Sequence, residues 1–83
     1  MAIEFEDIGS TAPDDLEWIG SLVKVGFKVD TGVEWMWVEV LERLGDGSFR
    51  GKLMNDPEHL RGVGFEDEVE GFRLTHILDV RPR

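Results

Sequence analysis

The chain has 83 residues, no cysteine and a formal net charge of −9 at pH 7. A chain of this length forms one domain, and without cysteine it forms no disulfide, cysteine zinc site or iron–sulfur cluster. The negative charge repels phosphate backbones and anionic lipids, so we expect neither direct nucleic-acid binding nor membrane binding. No apolar run could cross a bilayer and no signal-peptide pattern is present, which predicts a cytoplasmic protein.

The negative charge is concentrated at the start of the chain. Residues 1–20 contain six acidic residues and no basic one, whereas the two kinds are nearly balanced from residue 21 onward. A charged segment of this kind indicates a solubilising surface. The alternative is a nucleic-acid mimic, because carboxylates attract the same Lys and Arg side chains that bind phosphates.

Residues 11–20 are predicted to form a short helix. A threonine stands at the N-cap position, a proline lies in the first turn, and Gly20 ends the segment. Asp14, Asp15 and Glu17 would then lie near the positive end of the helix dipole.

From Leu22 onward the apolar residues recur at every second position, which is typical of β-strands. Strands are predicted over residues 22–29, 34–42, 48–54, 66–72 and 75–80, with tight turns at Asp30-Thr31-Gly32 and Gly45-Asp46-Gly47. The predicted core residues are Val25, Phe27, Val38, Val40, Phe49 and Leu53.

This pattern predicts an α+β fold that is mostly β. The architecture is either a small bent antiparallel sheet or an SH3-like barrel of about five strands, with one short N-terminal helix. Residues 1–21 form the acidic N-terminal segment and residues 22–83 form the small β domain, which together make one domain.

Several short motifs follow one another in a characteristic order. They are Lys24-Val-Gly-Phe, Met36-Trp-Val-Glu-Val, Phe49-x-Gly-x-Leu-x-Asn-Asp-Pro57, Glu66-Asp-Glu-Val and His76-Ile-x-Asp79. Together they resemble the bacterial family catalogued as domain of unknown function 2314, over about residues 22–80. That family has no agreed activity, so the resemblance implies a compact β-rich domain and supplies no catalytic residue. Before its fourth strand the family shows Gly-Asp, where this chain has Glu66-Asp67.

The sequence contains no pattern that is typical of catalysis or of metal binding. His59 and His76 are not spaced as a zinc pair, and no serine or threonine lies in a nucleophile motif. We therefore expect no enzyme activity, no cofactor, and no catalytic, cofactor-binding or metal-binding residues.

Trp35 and Trp37 are candidates for a binding function. They lie two residues apart in a predicted strand, so they share the face opposite Met36, Val38 and Val40. Either N-terminal apolar residues cover this face, or a tryptophan is exposed as an anchor for a partner.

These observations predict a non-catalytic, acidic protein-binding module whose partner is another protein. The predicted partner-binding residues are Asp14, Asp15, Glu17, Trp18, Trp35 and Trp37. The alternative is a phage-type anti-defence inhibitor, a nucleic-acid mimic that masks the basic groove of a DNA- or RNA-binding protein.

Overall fold

The computed structural model describes residues 3–9 and 18–82, and its regular structure is one antiparallel sheet. The strands are β1 (Leu22–Val29), β2 (Gly32–Arg43), β3 (Phe49–Leu53), β4 (Glu68–Phe72) and β5 (Ile77–Arg81). They lie in the order β4-β3-β2-β1-β5, and a 3₁₀ turn over Leu74–His76 precedes β5. The prediction of a mostly β domain with five strands is confirmed.

The sheet is bent but not closed, so the barrel alternative is not realised in the described residues. β4 and β5 lie at the two edges and do not pair with each other. Register shifts interrupt three of the four ladders, at Lys24/Val25, Val40/Glu42 and Phe49/Arg50. Such irregularities bend strands, and they let the sheet curl around one apolar face.

The predicted N-terminal helix is not seen in the part of the chain that the structure describes. Residues 10–17 lie outside it, and Trp18 to Gly20 form a turn. The Ser21 N–H donates to the Trp18 carbonyl (3.0 Å), and the Gly20 N–H donates to the Val40 carbonyl (2.8 Å). The Gly20 N–H therefore pairs with the backbone of β2, and the segment that the predicted helix would occupy before it lies outside the described residues.

Both predicted hairpin turns are present. The two residues Asp30 and Thr31 join β1 to β2, and a turn over residues 45–47 joins β2 to β3. In the second turn the Asp46 carboxylate accepts hydrogen bonds from the Ser48 N–H (3.0 Å) and hydroxyl (2.6 Å). Local side-chain bonds of this kind stabilise turns without help from the rest of the fold.

The core lies against one face of the sheet. All six residues that the alternation placed inside are fully buried, and further buried apolar residues join them. The buried set is Trp18, Val23, Val25, Phe27, Met36, Val38, Val40, Phe49, Leu53, Val69, Phe72 and Ile77.

Residues 3–9 run beside β1, next to the stretch that β5 leaves unpaired. The Glu6 N–H donates to the Gly26 carbonyl (2.8 Å), and the Lys28 N–H donates to the Glu4 carbonyl (2.9 Å). β5 thus pairs with the first half of β1, and residues 3–9 lie beside its second half, on the same edge.

The Phe5 side chain of this segment connects the two ends of the curled sheet. Its ring centroid lies 5.2 Å from that of Phe27 in β1 and 5.9 Å from that of Phe72 in β4. It also stacks on His76 at 5.5 Å. An aromatic cluster therefore spans the gap that backbone hydrogen bonds would fill in a closed barrel.

The turn before β4 contains a residue in a backbone conformation that favours glycine. Glu66 has φ 72°, and the Asp67 N–H donates to the Gly64 carbonyl (3.0 Å). We expect Glu66→Gly to raise the free energy of unfolding by about 0.5–1 kcal/mol in urea melts, because an L side chain is strained there. Glu66→Ala retains the Cβ and should bring no gain; an equal gain in both variants would assign the effect to the lost charge.

Candidate protein-binding face

The sheet face opposite the core, here called the outer face, carries the two tryptophans of β2. Trp35 lies across from Gly26 and Trp37 lies across from Lys24 in the β1–β2 ladder. Both tryptophans are half-buried, whereas Met36 between them is buried in the core. The predicted common face of Trp35 and Trp37 is thus confirmed.

Trp35 covers a glycine of the neighbouring strand. A Cβ added at Gly26 would lie only 2.8 Å from Cζ3 of the Trp35 ring and 3.1 Å from the Cβ of Glu6. The ring therefore lies directly on the β1 backbone, where a side chain would have displaced it. This contact packs Trp35 of β2 against β1, so Trp35 contributes to the fold.

Trp37 is flanked by two cations from other strands. The Lys24 ammonium lies 5.8 Å from its ring centroid, and the Arg81 guanidinium carbon lies 4.9 Å from it. Both distances are within the range of cation–π attraction. Among the described residues, neither Lys24 nor Arg81 forms an ion pair with an acid.

The two cations of β3, by contrast, are paired with acids of neighbouring strands. Lys52 lies 4.0 Å from the Glu39 carboxylate. Arg50 bridges Glu42, at 3.0 Å, and Glu68. Lys24, Trp37 and Arg81 form a small cluster on the outer face that carries positive charge, which we call the cationic island.

The loop between β3 and β4 is fixed to the backbone of Trp37. The Asn55 side-chain oxygen accepts a hydrogen bond from the Trp37 N–H (2.8 Å), and the Met54 N–H donates to the Trp37 carbonyl (2.9 Å). Asn55 thus completes the β2–β3 ladder where the chain leaves the sheet, which gives the Asn-Asp-Pro motif a physical role.

Glu34 holds the same loop at a second point. Its carboxylate accepts hydrogen bonds from the backbone N–H groups of Glu58 (2.6 Å), Leu60 (2.8 Å) and His59 (3.1 Å). Partial burial alone raises the pKa of Glu34, but the three N–H donors and the nearby His59 together lower that pKa below its ordinary value. The carboxylate is therefore ionised when it holds the loop.

We expect Glu34→Gln to lower the free energy of unfolding by roughly 1–2 kcal/mol near pH 7, because one of its acceptor oxygens becomes an amide donor. A lowered pKa stabilises the fold above the unfolded-state pKa, and this contribution is lost as pH falls through the folded-state pKa. Urea melts between about pH 7 and pH 3 should therefore show a shallower acid decline in the variant than in the wild type. An identical decline in both proteins would contradict the role of Glu34.

Holding this loop beside β2 leaves two shallow, open depressions. One, of about 400 Å³, lies next to Trp35, and the other, of about 270 Å³, lies between the loop and the N-terminal segment. The first is lined by Val33, Glu34, Trp35, Met36, Asn55, Asp56, Glu58 and His59. The second is lined by Ile3, Glu4, Lys28, Val29, Asp30, His59, Leu60 and Arg61.

The structure describes three of the six predicted binding residues, the tryptophans, and these three do not lie together. Trp35 and Trp37 share the outer face, whereas Trp18 is only 3% exposed and its ring packs on Phe49 in the core, at 5.8 Å. Asp14, Asp15 and Glu17 lie outside the described residues. Because the rings of Trp18 and Phe5 both point into the core, neither covers Trp37.

Counting outward from the Asp30–Thr31 turn places Lys24 opposite Trp37, so the sequence indicates that Lys24 is a neighbour of Trp37. Sequence reasoning missed Arg81 as the second neighbour. Arg81 reaches Trp37 only because β5 returns to pair with β1. No local pattern in the sequence specifies that long-range pairing.

Within residues 3–9 and 18–82, no group of three His, Asp or Glu side chains is placed to hold a metal ion. None of the helical structure in those two ranges is long and apolar enough to cross a membrane. Comparison of the chain with protein-family models, with curated proteins and with solved structures finds no match.

Proposed function

We propose that the protein is a non-catalytic protein-binding module that engages its partner through Trp37. The observation that carries this proposal is a half-buried tryptophan on the outer face, flanked by Lys24 and Arg81 and left uncovered by the aromatic residues of the N-terminal segment. Tryptophan and arginine are enriched among the residues that dominate binding energy in protein interfaces.

The architecture supports the same proposal. A bent antiparallel sheet with a 3₁₀ turn before its last strand is consistent with an SH3-like domain, a type of small β domain that recognises peptides. The resemblance of its motifs to those of domain of unknown function 2314, a family of small β-rich domains, supports the same proposal. Fold alone does not specify function, so the proposal depends on the outer face.

Capture of a partner from host lysate, followed by titration with the purified partner, tests the proposal. We expect Trp37→Ala to weaken binding by about thirtyfold or more, the loss typical of a central aromatic anchor. Leu78→Ala serves as the control, because Leu78 is an apolar β5 residue that is 53% exposed. Both variants must retain the wild-type circular dichroism spectrum, and equal affinities for Trp37→Ala and wild type would refute the proposal.

The net charge of −9 supports the alternative, a nucleic-acid mimic that masks a basic groove. In that case Asp14→Lys, Asp15→Lys and Glu17→Lys together should abolish binding, and added DNA or RNA should displace the protein from its partner. Binding should also weaken steeply with salt. A complex anchored by Trp37 should survive the triple charge reversal and resist competing nucleic acid.

A further inference from the structure

We infer that the outer face binds an acidic peptide segment of the partner, and that the cationic island of Lys24, Trp37 and Arg81 holds one or two of its carboxylates. This inference rests on the proposed function and specifies the chemistry of the partner. A nucleic-acid mimic would bind positive charge on its partner, whereas the cationic island would bind negative charge.

The two cations of the island lie beside the Trp37 ring. The Arg81 guanidinium lies 4.9 Å and the Lys24 ammonium 5.8 Å from the ring centroid. An arginine that contacts an aromatic ring still has N–H groups that can bind a carboxylate in bidentate fashion. Because the ring already orients both side chains, a carboxylate that binds them restricts less conformational freedom than it would with two free cations.

Among the residues that the structure describes, no acid forms an ion pair with either of these two cations. Lys24 lies across from Asp79 in the β1–β5 ladder, yet no ion pair forms between them. The Asp79 carboxylate instead accepts the Val80 N–H of its own strand (2.9 Å). A carboxylate from a partner could therefore bind Lys24 and Arg81 without displacing an existing ion pair.

The cationic island is small. A nucleic-acid strand carries a charge at every nucleotide, and beyond the two cations it would meet the Asp79 carboxylate, which lies across from Lys24. The net charge of −9 adds a long-range repulsion. A peptide that presents one or two carboxylates between neutral residues carries less charge and is repelled less, so the charge pattern favours an acidic peptide over a nucleic acid.

Fluorescence anisotropy with synthetic probes tests this inference. The probe is a labelled decapeptide with two glutamates separated by leucine and glycine, and the matched probe has glutamine at the same two positions. Wild type should bind the glutamate peptide about tenfold more tightly. Lys24→Gln and Arg81→Gln should each weaken its binding by roughly threefold to tenfold.

Lys52→Gln is the matched control, since it removes the same charge from the same face. Lys52 is engaged by Glu39, so its loss should change the affinity less than about twofold. Equal weakening in all three variants would indicate nonspecific attraction and overturn the inference. Equal affinity for the two peptides, or tighter binding of a ten-nucleotide single-stranded DNA, would overturn it as well.

The captured partner separates this inference from the proposed function. One outcome is that Trp37→Ala abolishes partner binding while Lys24→Gln and Arg81→Gln do not weaken it. That result would support the proposed binding module and refute the acidic-peptide inference. If Trp37→Ala has no effect, both fall. Loss of partner binding in all three variants, with Lys52→Gln at wild-type affinity, supports both.

Discussion

Replacing Phe27 with alanine is expected to lower the free energy of unfolding by about 3–5 kcal/mol. The side chain is fully buried near the middle of the core, and its ring contacts that of Phe5. The variant loses the transfer free energy of the ring and leaves a cavity that a small sheet can fill only in part. That loss is a large share of the 5–15 kcal/mol that stabilises a typical domain.

Urea melts of wild type and Phe27→Ala would measure the change, with Leu78→Ala as a surface control expected to stay within about 0.5 kcal/mol. Amide hydrogen exchange adds a local test. The Glu6 and Lys28 amides, whose bonds hold the N-terminal segment to β1, should exchange faster in Phe27→Ala because Phe5 loses its partner ring. A loss of less than about 1 kcal/mol would contradict the observed orientation of β1.

Gly51→Ala is expected to destabilise the protein by about 3 kcal/mol or more. A Cβ at this position would lie 2.4 Å from Cγ1 of Val38 and 2.7 Å from the backbone oxygen of Glu39. The second overlap involves backbone, so a change of rotamer does not relieve it and the β2–β3 ladder must shift. Gly51 is therefore required by the close approach of two strands.

Gly45→Ala is the matched control for this substitution. A Cβ at Gly45 meets no atom within 4 Å, and Gly45 does not have a positive φ. The free energy of unfolding of Gly45→Ala should stay within about 0.5 kcal/mol of that of wild type. If Gly51→Ala were equally mild in thermal and urea melts, the register of β3 against β2 would have to differ from the one described here.

The sequence predicted the strands and the residues they bury because both depend on local pattern. β1 was predicted with its observed bounds, since its alternation is regular and Asp30-Thr31-Gly32 ends it sharply. The limits of β2 were placed less well, at residues 34–42 against the observed Gly32–Arg43. Cross-strand hydrogen bonds extend β2 beyond the residues that alternate, and a propensity pattern does not record them.

The candidate site was predicted only in part. The two-residue period placed Trp35 and Trp37 on one face, but their neighbours on that face come from other strands. Trp18 was assigned to the binding surface, whereas it lies in the core. A lone tryptophan in a segment without periodicity indicates neither burial nor exposure, because what covers it depends on how that segment folds back on the sheet.

By itself, the sequence determined a mostly β fold, its five strands, its two hairpin turns and its six predicted core residues. These features follow from the alternation of side chains along each strand and from turn chemistry, both of which act over a few residues. Tertiary structure alone decided that the sheet stays open, that Phe5 spans its two ends and that Arg81 reaches Trp37. These depend on pairing between residues far apart in the chain, and alternation specifies the face of a side chain without specifying the strand beside it.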